Sequence, residues 1–314
     1  MDVTRPADSS AGATHSNVRL RHLPARAGSV RTRQRWGLLF VLPILIFFVL
    51  FKFVPIAQAV GLSFFHADLL STPRFVGFAN YVALAHDSLF FQSLGATGYY
   101  VIGTCLPLWV LSLGLALMLN RRVPGLAFFR VTFFLPAILP TVVVPILWRF
   151  LYHPYGLINS ILESVGIPRV DWLGNAQAVI PAFIATSEWR FIPLFMIIYL
   201  AGLQGIPREV EEAAAIDGAS SLQRFFNITL PLLTPTILVV VIISLILTAK
   251  SLPLALLMTE GGPGGASRLL SLFVYQNGFQ FYRLGYASAA SIVLLALLAI
   301  FTVLLLRLNR SQDA

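Results

Sequence analysis

Six stretches of the chain reach span length with little or no charge: roughly 36–60, 93–119, 131–148, 176–204, 227–249 and 284–306. An α-helix rises about 1.5 Å per residue and a bilayer's hydrocarbon core is about 30 Å thick, so about 20 apolar residues cross it. In hydrocarbon every backbone N–H and C=O must find its partner within the segment, which confines such runs to helices. The expected fold is therefore an all-α polytopic membrane protein with six transmembrane helices. Composition agrees, since 57% of the 314 residues are hydrophobic and 11% are charged, whereas a soluble domain carries about 25% charge.

The formal charge of +9 does not indicate nucleic acid, because the cations are not clustered with aromatics on a soluble domain. Their distribution reports topology. With the N-terminus inside, 14 of the 22 Lys and Arg residues fall on the cytoplasmic side, seven of them in residues 1–35, and six fall outside; Lys52 and Arg190 lie within runs. The positive-inside rule then places both termini in the cytoplasm. Residues 1–35 are rich in Pro, Ser, Gly and Arg without apolar periodicity, and they read as a disordered basic tail. Residues 36–308 read as one membrane domain and 309–314 as a cytoplasmic C-terminal tail. The run from Trp36 is too long for the apolar region of a signal peptide. Cys105, the sole cysteine, lies inside the second run and reads as a packing residue, which leaves no intrachain disulfide and no cysteine-based metal cluster.

Prolines punctuate the runs: Pro43 and Pro55 in the first, Pro107 in the second, and Pro136, Pro140 and Pro145 in the third. Each removes a backbone bond and presses on the preceding turn, so kinked helices are expected, enclosing a wet path or merely reflecting the greater frequency of proline in membrane helices. The segments 153–173 and 267–288 are amphipathic and aromatic and read as interfacial helices on the outer surface.

Between the fourth and fifth runs lies the acidic stretch 209–217, with Glu209, Glu211, Glu212 and Asp217. Gly205-Ile206-Pro207 closes the fourth run and offers proline to a first helical turn. Arg208 to Asp217 are good helix formers, with acids early where the helix dipole favours them. Gly218 can adopt positive φ and end the helix, and Ser220 or Ser221 can cap a second short helix through Leu222 to Asn227. A cytoplasmic helix-turn-helix with a shallow alanine surface results, suited to close approach by another protein, with a solvated loop whose alanines merely stabilise the helix as the alternative.

The spacing Glu212-Ala213-Ala214, three residues, Gly218, nine residues, Ile228-x-Leu230-Pro231 resembles the EAA loop of the membrane subunits of binding-protein-dependent ATP-binding-cassette importers. The similarity to the sugar-permease branch, maltose and glycerol-3-phosphate systems included, runs over roughly 36–308 and takes in "FFLPAILPTVVVPILWRFLYHPYGLIN", "MTEGGPGGAS" and "GYASAASIVLL". The Gly-Gly-Pro loop resembles the F-type subunit of the maltose transporter. The family's Phe-Asp after the fifth span is replaced here by Ser251-Leu252-Pro253. The resemblance implies that 207–230 is a coupling helix seated in a cleft of a cytoplasmic ATPase. In that role Glu211, Glu212, Ala213, Ala214, Asp217, Gly218 and Ala219 form the coupling surface, with Glu212 as the acidic contact, the alanines permitting close packing and Gly218 making the turn. It further implies a second permease subunit, an ATPase dimer that carries ATP and Mg, an extracytoplasmic solute-binding protein, and residence in the bacterial inner membrane with lipid as solvent. This chain itself is expected to bind no cofactor and no nucleic acid and to perform no catalysis.

Ionisable residues inside spans are costly and usually functional. Glu188, Trp189 and Arg190 in the fourth run are therefore candidates for a substrate path, the tryptophan offering a face for a sugar ring, with ion pairing to other helices as the structural alternative. Lys52 and Lys250 sit near span ends and can snorkel. "GGPGGAS" lacks the Gly-Lys-Ser/Thr of a phosphate loop, and no hydrolase or metalloprotease motif occurs. A self-sufficient carrier would show ionisable residues in several spans, and a membrane enzyme is the other alternative; only Glu188 among the acids lies in a run.

Overall fold

The computed structural model describes residues 40–68, 72–120 and 134–310, the last three as backbone alone. The basic tail expected over 1–35 lies outside these residues. The chain divides into two compact units, 1–55 and 56–314. The described part of the first unit is helical and belongs to helix α1, Phe40–Leu62, with a mean hydropathy of 2.6. A π-helical turn at Val49–Phe53 falls where Pro55 cannot bond back to the carbonyl of Phe51, a common cause of local rewinding.

The second unit carries the bundle. After a two-residue antiparallel ladder pairing Phe65 with Phe75 and His66 with Arg74, α2 spans Ala79–Ala85 and α3 spans Ser88–Leu119. Asp87 caps α3, accepting from Leu89 N–H at 2.8 Å, and its other oxygen accepts from Tyr286 O–H at 2.6 Å. That one carboxylate ties the start of α3 to α12, Leu284–Arg310. The remaining helices are α4 (Val143–Leu151), α5 (Leu157–Ser164), α6 (Val179–Gln204), α7 (Arg208–Ile216), α8 (Ser221–Arg224), α9 (Leu230–Ala249), α10 (Leu252–Met258) and α11 (Leu270–Tyr275).

Helices α3 and α6 form the most extensive pair. Two apolar clusters fill the space between them and their neighbours, one around Tyr100, Phe183, Met258 and Leu272, the other around Leu108, Phe195, Tyr199 and Leu233. Lipid tails are as apolar as these side chains, so close packing and interhelical hydrogen bonds must hold the bundle together. Both are present. On α3, Tyr100, Cys105 and Trp109 meet Ser251, Thr248 and Ser244 at 3.2, 3.5 and 2.8 Å, a ladder that follows the helical repeat of two facing helices. Gly202 of α6 lies so close to α9 that a Cβ there would stand 2.8 Å from Thr236 Cγ2 and 2.9 Å from Leu233 Cδ1.

Five helices among the described residues are long and apolar enough to cross a membrane, and the six-span expectation holds only in outline. The third expected run, 131–148, begins in undescribed residues and is not one helix. A helical turn at 134–138 stops, residues 139–142 are irregular, and α4 restarts at Val143. Three prolines within ten residues explain this, because Pro140 cannot donate and disfavours helical geometry at Leu139. Pro107 and Pro193, each alone, sit inside unbroken helices.

The two segments read as interfacial differ. Around α5, Leu157, Ile161 and Val165 are exposed, while buried Asn159 pins the loop by accepting from Val170 N–H at 3.0 Å and Trp172 Nε1–H at 3.2 Å. The Tyr152 hydroxyl donates to Ala182 O at 3.1 Å, and burial pushes its pKa up to about 12. Segment 267–288 turns inward instead. Leu270, Leu272 and Phe273 are buried, and Leu270 N–H donates to Thr97 Oγ1 of α3 at 2.7 Å.

Candidate functional site: a capped helical loop and a cationic cleft

The loop between α6 and α9 is built by local rules. Pro207 stands at the N-cap of α7 with φ −61° and ψ 131°, one position earlier than the first-turn placement expected. Glu209 and Glu211 fall in the first turn, next to the positive end of the helix dipole. The helix closes in a Schellman motif: Ala219 N–H reaches Ala214 O at 3.0 Å and Gly218 N–H reaches Ala215 O at 3.2 Å, with Gly218 at φ +82°. Ser220 then forms a full capping box with Gln223, donating its N–H to Gln223 Oε1 at 2.8 Å and accepting from Gln223 N–H at 3.3 Å. The second helix does not end near Asn227. It passes through a π-helical stretch, Phe225–Thr229, directly into α9, so the loop is mechanically continuous with a spanning helix.

Glu211 leans back towards that junction, accepting from Thr229 Oγ1 at 3.4 Å, and both it and Glu212 border a groove of about 650 Å³ that reaches Asn120 and Gln204. Ala213, Ala215, Asp217 and Gly218 are exposed, while Ala214 and Ala219 are half-buried. Beside them stand two apolar side chains that sequence reasoning passed over, Ile216 at 87% exposure and Leu222 at 68%. They flank the glycine turn, and that position was the available signal.

The second feature is a cleft of about 170 Å³. From α6 it takes Thr186, Ser187, Arg190 and Phe191; from the end of α9, Leu247, Lys250 and Ser251; from α4 and the break before it, Thr141, Val144 and Pro145. Each set follows helical spacing, so each helix offers one stripe. Of the three residues expected on a substrate path, only Arg190 lines this cleft. Trp189 points elsewhere, packing edge-on against Trp148 at 5.6 Å between ring centroids. Both Glu188 carboxylate oxygens are buried without a hydrogen-bond partner among the described residues, as is Thr104 Oγ1. Ion pairing by Glu188 or Arg190 is not found among the described residues, whose ion pairs are His66–Asp68 at 3.0 Å and Arg169–Glu163 at 2.8 Å. The latter hydrogen bond holds Arg169 above its usual range. Lys250 and Ser251 reach the cleft because the helix breaks there and restarts at Leu252 with Pro253 in its first turn, the segment where Ser-Leu-Pro departs from Phe-Asp.

Residues 109–313 match the family model described as the binding-protein-dependent transport system inner membrane component. The chain belongs to that family. This transport component is 35% identical over 288 residues to the probable ABC transporter permease protein YesP of Bacillus subtilis strain 168, covering 90% of this chain and 93% of that one. It is 34% identical over 277 residues to the trehalose/maltose transport system permease protein MalF of Thermococcus litoralis, covering 87% and 93%. Among solved structures, a chain of a bacterial ABC transporter involved in the import of the acidic polysaccharide alginate superposes with a TM-score of 0.76 at 25% identity, over 91% of this chain and 99% of that one. The permease is thus a multi-pass membrane protein of the ABC-importer class.

Proposed function

We propose that this permease forms one half of the translocation pathway of a carbohydrate importer and that its 207–230 loop couples the bundle to a separate cytoplasmic ATPase. Carbohydrate is the cargo class common to the descriptions of the MalF relative and the alginate transporter. The partners are a second permease, an ATPase dimer holding ATP and Mg, and an extracytoplasmic binding protein. The loop faces the cytoplasm, as do both termini, and the Arg190 cleft opens towards the pathway.

The observation that carries this reading is the construction of the loop. A Schellman closure and a capping box fix two short helices at a defined angle, their exposed alanines present a low surface with Ile216 and Leu222 beside it, and the second helix runs on into α9. Movement imposed on such a knob is passed to a spanning helix rather than absorbed by a slack linker. Closure of the ATPases on ATP then rocks the bundle between two states, each stabilised by different contacts. The chain contributes binding and motion, and hydrolysis belongs to its partner.

Co-purification from membranes tests this. The permease is expected to retain an ATPase subunit, and sugar uptake is expected to cease when that subunit is deleted. Uptake that continues undiminished without any ATPase contradicts the proposal.

A further inference from the structure

We propose that the cleft beside α6 is an anion subsite in which Arg190 and Lys250 receive an acidic group on the sugar, a carboxylate, sulfonate or phosphate. This rests on the permease reading above and narrows its cargo class.

Two formal positive charges line one small cleft, and no Asp or Glu lines it with them. Neither cation takes part in an ion pair among the described residues. Arg190 is half-buried and Lys250 exposed, so their repulsion is partly screened, yet two like charges bordering one cleft still favour an arriving anion. Such an arrangement persists where a counter-charge arrives with a ligand.

Three of the four hydroxyls that line the cleft are already engaged, Thr141 supplying the fourth. Thr186 Oγ1 donates to Ala182 O at 2.9 Å, Tyr100 O–H sits 2.7 Å from Ser187 Oγ, and Ser251 Oγ donates to Leu247 O at 3.3 Å while accepting from Tyr100. The Arg190 guanidinium lies 5.3 Å from the Phe191 ring centroid, a contact that leaves its N–H edges available. The strongest donors in the cleft are therefore its two cations: five N–H groups in a planar fork and three on an ammonium. Phe191, Pro253 and Leu254, which line the same cleft, give it an apolar wall, suited to the C–H face of a pyranose ring. A neutral sugar would use the wall and leave both charges unanswered; an acidic sugar uses both.

The test uses the whole transporter with its partner permease and ATPase, in bilayers, with Cys105→Ser to remove the native thiol and Thr141→Cys as reporter in the cleft. Labelling rates are compared for a sulfonate-bearing and a trimethylammonium-bearing thiosulfonate of similar size. The anionic reagent is expected to react about tenfold faster, the scale of attraction between nearby charges in a partly screened site, and Arg190→Gln with Lys250→Gln is expected to erase the preference. Trigalacturonate is expected to slow labelling several-fold and maltotriose to leave it unchanged. Equal rates for the two reagents overturn the proposal, since a carboxylate of the partner permease then neutralises the site. A preference seen in lipid-free detergent and lost in bilayers assigns the site to a lipid headgroup and overturns it as well. Protection by maltotriose as strong as by trigalacturonate, or protection by neither, also overturns it. None of these readouts depends on ATP-driven uptake, so they fail separately from the permease reading.

Discussion

The 207–230 loop and the bundle it serves are stabilised by opposite means. The loop is held by consecutive residues: Pro207 sets its entry, Gly218 its reversal and Ser220 with Gln223 its second start. The bundle is held by residues far apart in sequence, such as Trp109 with Ser244 and Gly202 against Thr236. On the proposed coupling role, damage to the loop should abolish transport while leaving a folded membrane protein, and damage to the bundle should lower the yield of folded protein itself.

The sharpest way to break that contrast is Gly218→Pro. Proline fixes φ near −65° and has no N–H, whereas Gly218 sits at +82° and donates to Ala215 O. Uptake is expected to fall to background with the membrane-inserted amount unchanged, measured by transport and by membrane fractionation of the same cells. Gly218→Ala sharpens the point, since nothing lies within 4 Å of a Cβ placed there. Its cost is only that of left-handed backbone, about 1–2 kcal/mol, and partial uptake should survive. Glu212→Lys is the next strongest, reversing charge at the proposed coupling surface, and is expected to reduce uptake about tenfold or more while the ATPase subunit is lost on purification.

Gly202→Val tests the other arm. Overpacking of this kind costs about 1–3 kcal/mol, and the expected signature is less monodisperse protein in detergent, read by size-exclusion chromatography. Smaller is Ser220→Ala, where loss of a cap costs about 1 kcal/mol. Transport should drop modestly with no change in detergent stability. Smallest is Trp109→Phe, which deletes one interhelical hydrogen bond worth about 0.6 kcal/mol on average in membrane bundles, expected as a slight fall in thermal midpoint with uptake retained.

The same division explains what could be read in advance. The spans at 93–119, 176–204, 227–249 and 284–306 were legible because hydropathy is a property of the segment itself. So were the helix end at Asp217, the positive φ of Gly218 and the cap at Ser220, all decided within a few residues. The third run misled because its apolar composition concealed three prolines acting together, while Pro107 and Pro193, acting singly, left their helices unbroken. The cleft was legible only at Arg190. Lys250 joined it through a helix break whose consequence depends on where α4 and α6 lie, and Trp189, adjacent in sequence to Arg190, faces a different neighbour because successive residues turn about 100° around a helix. The unpartnered carboxylate of Glu188 was flagged by its charge alone; its surroundings were not.

The central claim is that the knob around Gly218 is the seat of the motor. A photo-crosslinking amino acid placed at Ile216, the most exposed apolar side chain of the loop, tests it in intact cells. The account predicts a covalent adduct with the ATPase subunit, altered in yield when ATP is trapped against hydrolysis. An ATPase that crosslinks to other surfaces of this permease and never to position 216 would contradict it.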